Sequence, residues 1–186
     1  MKVYLACSIT NNHDPVLLRK VVDAIQAQGH RVLSEHVAAP SKEESTAILF
    51  QNADLETSAL KVLNPEQVAL IIRDTDFRWI EECDAFIALF FGGSDGRGAE
   101  YEHISYLLEL RIRYPEIGVC LRGECNCRGI LGIFDKNSIS RLIWAANHRE
   151  REYYRRVLVD PNNIEEVLAQ VTEFLFAMEK KEVVYA

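Results

Sequence analysis

The sequence lacks the features of a fibrous, disordered or membrane-embedded chain. It has only 5 prolines and 9 glycines in 186 residues, with no low-complexity tract and no internal repeat. No long unstructured region is expected short of the last few residues. No apolar run approaches the ~20 residues a membrane-spanning helix needs, so no membrane partner is expected. Positive charge is also short, with 21 Lys and Arg against 28 Asp and Glu and a net charge of −7. That average field repels a polyanion, which argues against a nucleic-acid polymer as partner. A small phosphorylated metabolite remains possible, because a local pocket can oppose the global sign.

Paired cysteine motifs are missing too. Cys7, Cys83, Cys120, Cys125 and Cys127 form an odd set, and the last three show Cys-x4-Cys-x-Cys spacing without a Cys-x2-Cys knuckle or paired histidines. Neither a zinc site nor any other metal is expected. Met1 leads directly into the short apolar stretch Val3-Tyr4-Leu5-Ala6-Cys7, too short for a secretory signal, so reduced thiols and a cytoplasmic location are the expectation. What is present is 48% hydrophobic residues, enough for one domain over 1–186 with a real core.

Strand and helix signals alternate along the chain. A short apolar strand covers Lys2 to Cys7. Asp14-Pro15 reads as an N-cap and first helical residue and Gly29 as the stop, with Leu18, Val21, Val22 and Ile25 at helical spacing between them. Arg31 to Ser34 is a second strand, and strand, helix and strand so close together imply a parallel crossover. Residues 38–64 read as a helical insert, with short helices around Glu43–Gln51 and Leu55–Leu63. Asn64 and Gln67 form a capping box opening a helix that should run to about Glu82. Asp84 to Phe91 is a third strand, apolar on both faces as a central parallel strand is. A long helix covers about Gly98 to Arg113, Ile117 to Leu121 is placed as the fourth strand, and Arg156 to Val159 as the fifth. The C-terminal helix, 161–180, carries Ile164, Val167, Leu168, Val171, Phe174, Leu175 and Met178 as one amphipathic stripe. The expected fold class is α/β, a doubly wound five-stranded parallel sheet with helices on both faces.

Ligands of such sheets bind at the C-terminal edge of the strands. That rule selects Cys7-Ser8-Ile9-Thr10, Glu35-His36 and the turn from Gly92 to Gly98. The four glycines of the turn let backbone amides approach a ligand, and the helix start behind them adds unpaired N–H donors. Glu100 continues the stripe of Ile104, Leu107, Leu108 and Arg111 back to the helix mouth, which aims its carboxylate at the cleft. The plainer alternative for a Glu in a first turn is complementing the helix dipole. Asp76 interrupts an apolar stripe of Ile72, Trp79 and Ile80; the alternative is an N-cap for a shorter helix. His36 follows the second strand on the ligand edge, where a lone His is as often a turn residue. Tyr4 lies in the first strand and matters chemically only if its hydroxyl reaches the cleft. The basic run from His148 to Arg156 reads as a solvated helix face.

Four blocks occur in order: Val3-Tyr4-Leu5-Ala6-Cys7-Ser8-Ile9, Ser34-Glu35-His36-Val37-Ala38, Asp76-Phe77-Arg78-Trp79-Ile80 through Asp84, and Gly96-Arg97-Gly98-Ala99-Glu100. Together they resemble the nucleoside 2-deoxyribosyltransferase family, most closely its branch of nucleoside 5'-monophosphate N-glycosidases. The resemblance implies a flavodoxin-like fold, a homodimer, no cofactor and a small-molecule nucleotide or nucleoside as substrate. It implies Glu100 as nucleophile at the anomeric carbon, with Asp76 and Tyr4 positioning the sugar or assisting proton transfer. Ser94 with the amides of Gly96 and Gly98 would hold the 5'-phosphate, with Arg97 on the same side. Ser8, Ile9, His36 and Trp79 would line the substrate site, and Ser140 matches a serine that reaches a neighbouring subunit's phosphate site. Transfer of deoxyribose between bases, and a nucleotide-binding module without turnover, are the alternatives. Thr10-Asn11-Asn12 replaces the basic residue and glycine usual after Ser-Ile in the hydrolase branch, and residues 40–64 are longer than the family norm.

Overall fold

The computed structural model describes residues 1–7, 14–91, 100–108, 127–136 and 154–182. Five parallel strands form one sheet in the order β2-β1-β3-β4-β5. They are β1 (Lys2–Ala6), β2 (Arg31–Val32), β3 (Ala85–Phe90), β4 (Gly129–Asp135) and β5 (Tyr154–Val159). The described helices are α1 (Pro15–Ala27), α2 (Lys42–Asn52), α3 (Pro65–Glu82), α4 (100–108) and α5 (Ile164–Glu182), with 3-10 turns at Glu35–Ala38 and Thr57–Lys61. The strand order is that of flavodoxin-like sheets, in which β1 and β3 flank the point where the winding reverses.

Alternation along the strands separates two cores. Val3, Leu5, Ala85, Ile87, Leu89, Leu131 and Ile133 face α1 and α5. Tyr4, Ala6, Phe86, Ala88, Phe90, Ile130 and Phe134 face α2, α3 and α4. Each fully buried large side chain contributes about 1.5–3 kcal/mol, which is why the central strands β1 and β3 are apolar toward both layers.

The helix boundaries follow from local chemistry. Asp14 Oδ1 accepts from the amides of Val16 and Leu17 at 3.1 and 3.0 Å, and Pro15 opens α1. Gly29, at φ +81°, lets the chain turn back toward β2. At α3 the capping box closes both ways: Gln67 N donates to Asn64 Oδ1 at 2.9 Å and Asn64 N to Gln67 Oε1 at 3.0 Å. The insert forms the two short helical pieces expected of it, α2 and the turn at Thr57–Lys61.

Two strands differ from expectation. The second ends at Val32 because the Ser34 hydroxyl takes over the neighbouring groups of β1. It accepts from Leu5 N at 2.7 Å and donates to Leu5 O at 2.9 Å, and the chain then coils into Glu35–Ala38. The fourth described strand is Gly129–Asp135, which was not expected, and the strand expected at Ile117–Leu121 lies outside the described residues. Two glycines weaken the local strand signal of Gly129–Asp135. Tertiary packing restores it: space that a Cβ would take is filled by Met178 above Gly129 and by the Phe134 ring above Gly132.

A Cβ on Gly132 would lie 2.8 Å from the Phe134 ring, itself stacked on Phe90 at 4.5 Å between centroids. Gly132→Ala is expected to cost about 1–3 kcal/mol. Gly129→Ala should cost less than half as much, because the obstructing atom is the flexible Met178 thioether. Urea unfolding of the two variants beside the parent chain measures both. Equal losses would show that the Phe90–Phe134 stack is not rigid.

Candidate active site

The site grows from one strand residue and the two helices packed above it. Tyr4 of β1 points into the α3/α4 layer, is 1% exposed, and stacks on its sheet neighbour Phe86 at 5.5 Å. Behind it Tyr101 of α4 packs edge-on against Phe90 at 5.2 Å. This aromatic wall fixes the Tyr4 ring, and the ring in turn sets the height of its hydroxyl.

That hydroxyl meets two carboxylates. It faces both Asp76 and Glu100, and burial together with these two acidic neighbours pushes its pKa well above the ordinary 10.0. Tyr4 therefore stays a neutral phenol. Asp76 projects from the inner face of α3, beside buried Trp79 and Ile80. It is interior to an unbroken helix, so the N-cap alternative does not apply. Glu100 stands at the start of the described part of α4, one turn before buried Ile104 and two before Leu108, with Leu107 only half-buried.

Burial dominates Asp76. Desolvation raises its pKa from 3.8 to about 7, although the facing Tyr4 hydroxyl pulls the other way. A carboxyl tuned there can hold or release a proton at neutral pH. His36, in the 3-10 turn after β2, brings Nε2 to 3.8 Å from Asp76 Oδ1. Its ring lies 5.8 Å from that of Trp79. Burial lowers its pKa from 6.5 to about 4, so the imidazole is neutral. The Ser34 clamp on Leu5 anchors the turn that carries it.

Of the sequence-selected residues, the structure brings together Tyr4, His36, Asp76, Trp79 and Glu100 at the β1/β3 reversal point. Ser8, Ile9, Ser94, Gly96, Arg97, Gly98 and Ser140 lie outside the described residues, as do Cys120 and Cys125. Sequence reasoning did not single out Ser34 or Phe86 as supports of the site. A buried hydroxyl ending a strand was the available signal for Ser34; Phe86 looks like any core residue.

No protein-family profile matches the chain, and no curated protein sequence does. The fold is similar to the solved structure of Clostridium botulinum CMP N-glycosidase, BcmB. The TM-score is 0.54 at 14% identity, over 94% of this chain and 99% of that one. The likeness supports the flavodoxin-like architecture.

The buried acid has a consequence for stability. In the folded chain Asp76 keeps its proton up to about pH 7, in the unfolded chain only to near 3.8. Its contribution is full below the unfolded value and is lost as pH rises through about 7. His36 acts oppositely: its contribution is full above 6.5 and is lost as pH falls through about 4. Asp76→Asn cannot ionise, so its stability relative to the parent should rise by about 2–3 kcal/mol between pH 5 and pH 8. Urea unfolding at both pH values reads this; a constant difference would show that burial does not burden the carboxylate.

Proposed function

We propose that the chain hydrolyses the N-glycosidic bond of a (deoxy)nucleoside 5'-monophosphate, releasing free base and sugar 5-phosphate. The observation that carries this reading is the buried Tyr4 hydroxyl facing two carboxylates, Asp76 and Glu100. Two carboxylates that face one phenol oxygen are close neighbours. That spacing suits a double displacement, in which one carboxylate attacks and the other moves protons; retaining glycosidases hold theirs about 5–5.5 Å apart.

In the first step the Glu100 carboxylate forms a bond to C1' as the C1'–N bond breaks through an oxocarbenium-like transition state. Asp76 gives its proton to the leaving base, leaving a glycosyl ester on Glu100 and a carboxylate at Asp76. Water then attacks C1', Asp76 takes a proton from it, and Glu100 departs as a carboxylate. Both groups finish as they began. Tyr4 orients the pair by donating to ionised Glu100 and accepting from protonated Asp76, the arrangement that satisfies its single proton. The 5'-phosphate falls to Ser94 and the amides of Gly96 and Gly98, just ahead of Glu100, and the sugar separates phosphate from carboxylate.

Base release from a panel of ribo- and deoxyribonucleoside 5'-monophosphates tests the reading. Glu100→Ala should lose at least 100-fold of the activity, the low end of what removing a catalytic group costs (roughly 10²–10⁴), and equal activity in both proteins would sink the assignment. A second base added to the assay should leave turnover unchanged; an increase, with formation of the new nucleotide, would favour transfer. Because Asp76 acts as acid with a pKa of about 7, kcat should fall as pH rises above that value, and Asp76→Asn should flatten this limb.

A further inference from the structure

The mechanism leaves one buried group beside the acid without a task. His36 is 2% exposed, its Nε2 faces Asp76 Oδ1 at 3.8 Å, and Asp76 Oδ1 and His36 Nδ1 are both buried with no hydrogen-bond partner among the described residues. Buried polar atoms in folded proteins are almost always satisfied, so an orphaned Oδ1 that faces a ring nitrogen needs an explanation. At 3.8 Å the pair is beyond hydrogen-bond distance, yet less than 1 Å of movement would close it.

Proton counting supplies the reason. Asp76 is faced by the Tyr4 hydroxyl from β1, by His36 from the turn after β2, and lies in the cluster that includes Glu100 of α4. While Asp76 is protonated, the Tyr4 proton is free for Glu100. Once Asp76 gives up its proton with Glu100 still anionic, two carboxylates compete for one phenolic proton. The second donor available is the ring N–H of His36. A neutral imidazole protonated at Nε2 supplies it and adds no charge. The Trp79 ring, one turn along α3 from Asp76, flanks the imidazole at 5.8 Å.

We propose that His36 is a positioning residue for Asp76, its Nε2–H closing onto Oδ1 as that carboxyl gives up its proton. The open pair belongs to the protonated acid, the closed pair to the carboxylate. His36 thereby stabilises the form that Asp76 takes in the transition state of base departure, and it acts through Asp76 without touching the substrate. The catalytic part of this rests on the function proposed above; the proton-coupled closure does not.

Glutamine and asparagine separate the two ring nitrogens, because the Gln amide nitrogen reaches the place of Nε2 and the Asn amide nitrogen that of Nδ1. The Asp76 side-chain carboxyl is followed by carbon-13 NMR in the full chain during a pH titration, for the parent, His36→Gln and His36→Asn. His36→Gln should keep the parent midpoint, and His36→Asn should raise it by about one pH unit. Identical midpoints in both variants, or a lower one in His36→Asn, would overturn the proposal. Should either variant fail to fold by near-ultraviolet circular dichroism, His36→Phe replaces His36→Asn and His36→Lys replaces His36→Gln as the donor-bearing arm, with the same expected order. In the base-release assay His36→Asn should lower kcat about tenfold at unchanged KM, with the alkaline limb displaced upward in parallel. A raised KM at unchanged kcat would instead make His36 a substrate contact and refute the positioning role. Absence of base release from the parent protein refutes the proposed function alone, and the titration then decides the proposal by itself.

Discussion

The Tyr4 hydroxyl, buried on a central strand and facing both Asp76 and Glu100, is the contact on which the rest of the site depends. A single phenolic proton cannot satisfy two ionised carboxylates in a low-dielectric interior. The surroundings resolve the conflict by keeping one of them protonated near neutral pH. Asp76 takes that part because α3 holds it deep against Trp79 and Ile80. Burial thus shifts one acid of the pair, Asp76, into the range where it can hold or release a proton near neutral pH.

The scaffold serves this contact from both sides. Phe86 stacks on the Tyr4 ring within the sheet, and Tyr101 of α4 packs in turn against Phe86. The Ser34 hydroxyl replaces a stretch of backbone ladder on β1, ends β2 early, and delivers His36 to the acid. Burying three ionisable side chains in one layer costs stability, and the opposite core, built from Val3, Leu5, Ile87 and the stripes of α1 and α5, offsets it.

Local chemistry was readable wherever it is short-range. Asp14-Pro15, the Asn64–Gln67 capping box and the all-apolar Ala85–Phe90 run were legible because caps and burial patterns act over a few residues. The strand Gly129–Asp135 was not, since two glycines in its pattern are explained only by Met178 and Phe134, which fill the space above them. The end of β2 was hidden in the same way, because the Ser34 partners lie 29 residues away.

The site divides along the same line. Helical spacing selected Asp76 and Glu100, the ligand-edge rule selected His36 and the family resemblance Tyr4, while the order of strands and helices determined a parallel sheet with a ligand edge. Only the tertiary structure decided that the Tyr4 hydroxyl faces both carboxylates, that Asp76 holds its proton to about pH 7, and that His36 stays neutral 3.8 Å from it. Charge state depends on desolvation and on which groups face each other across elements distant in the chain, and neither quantity is encoded in local spacing.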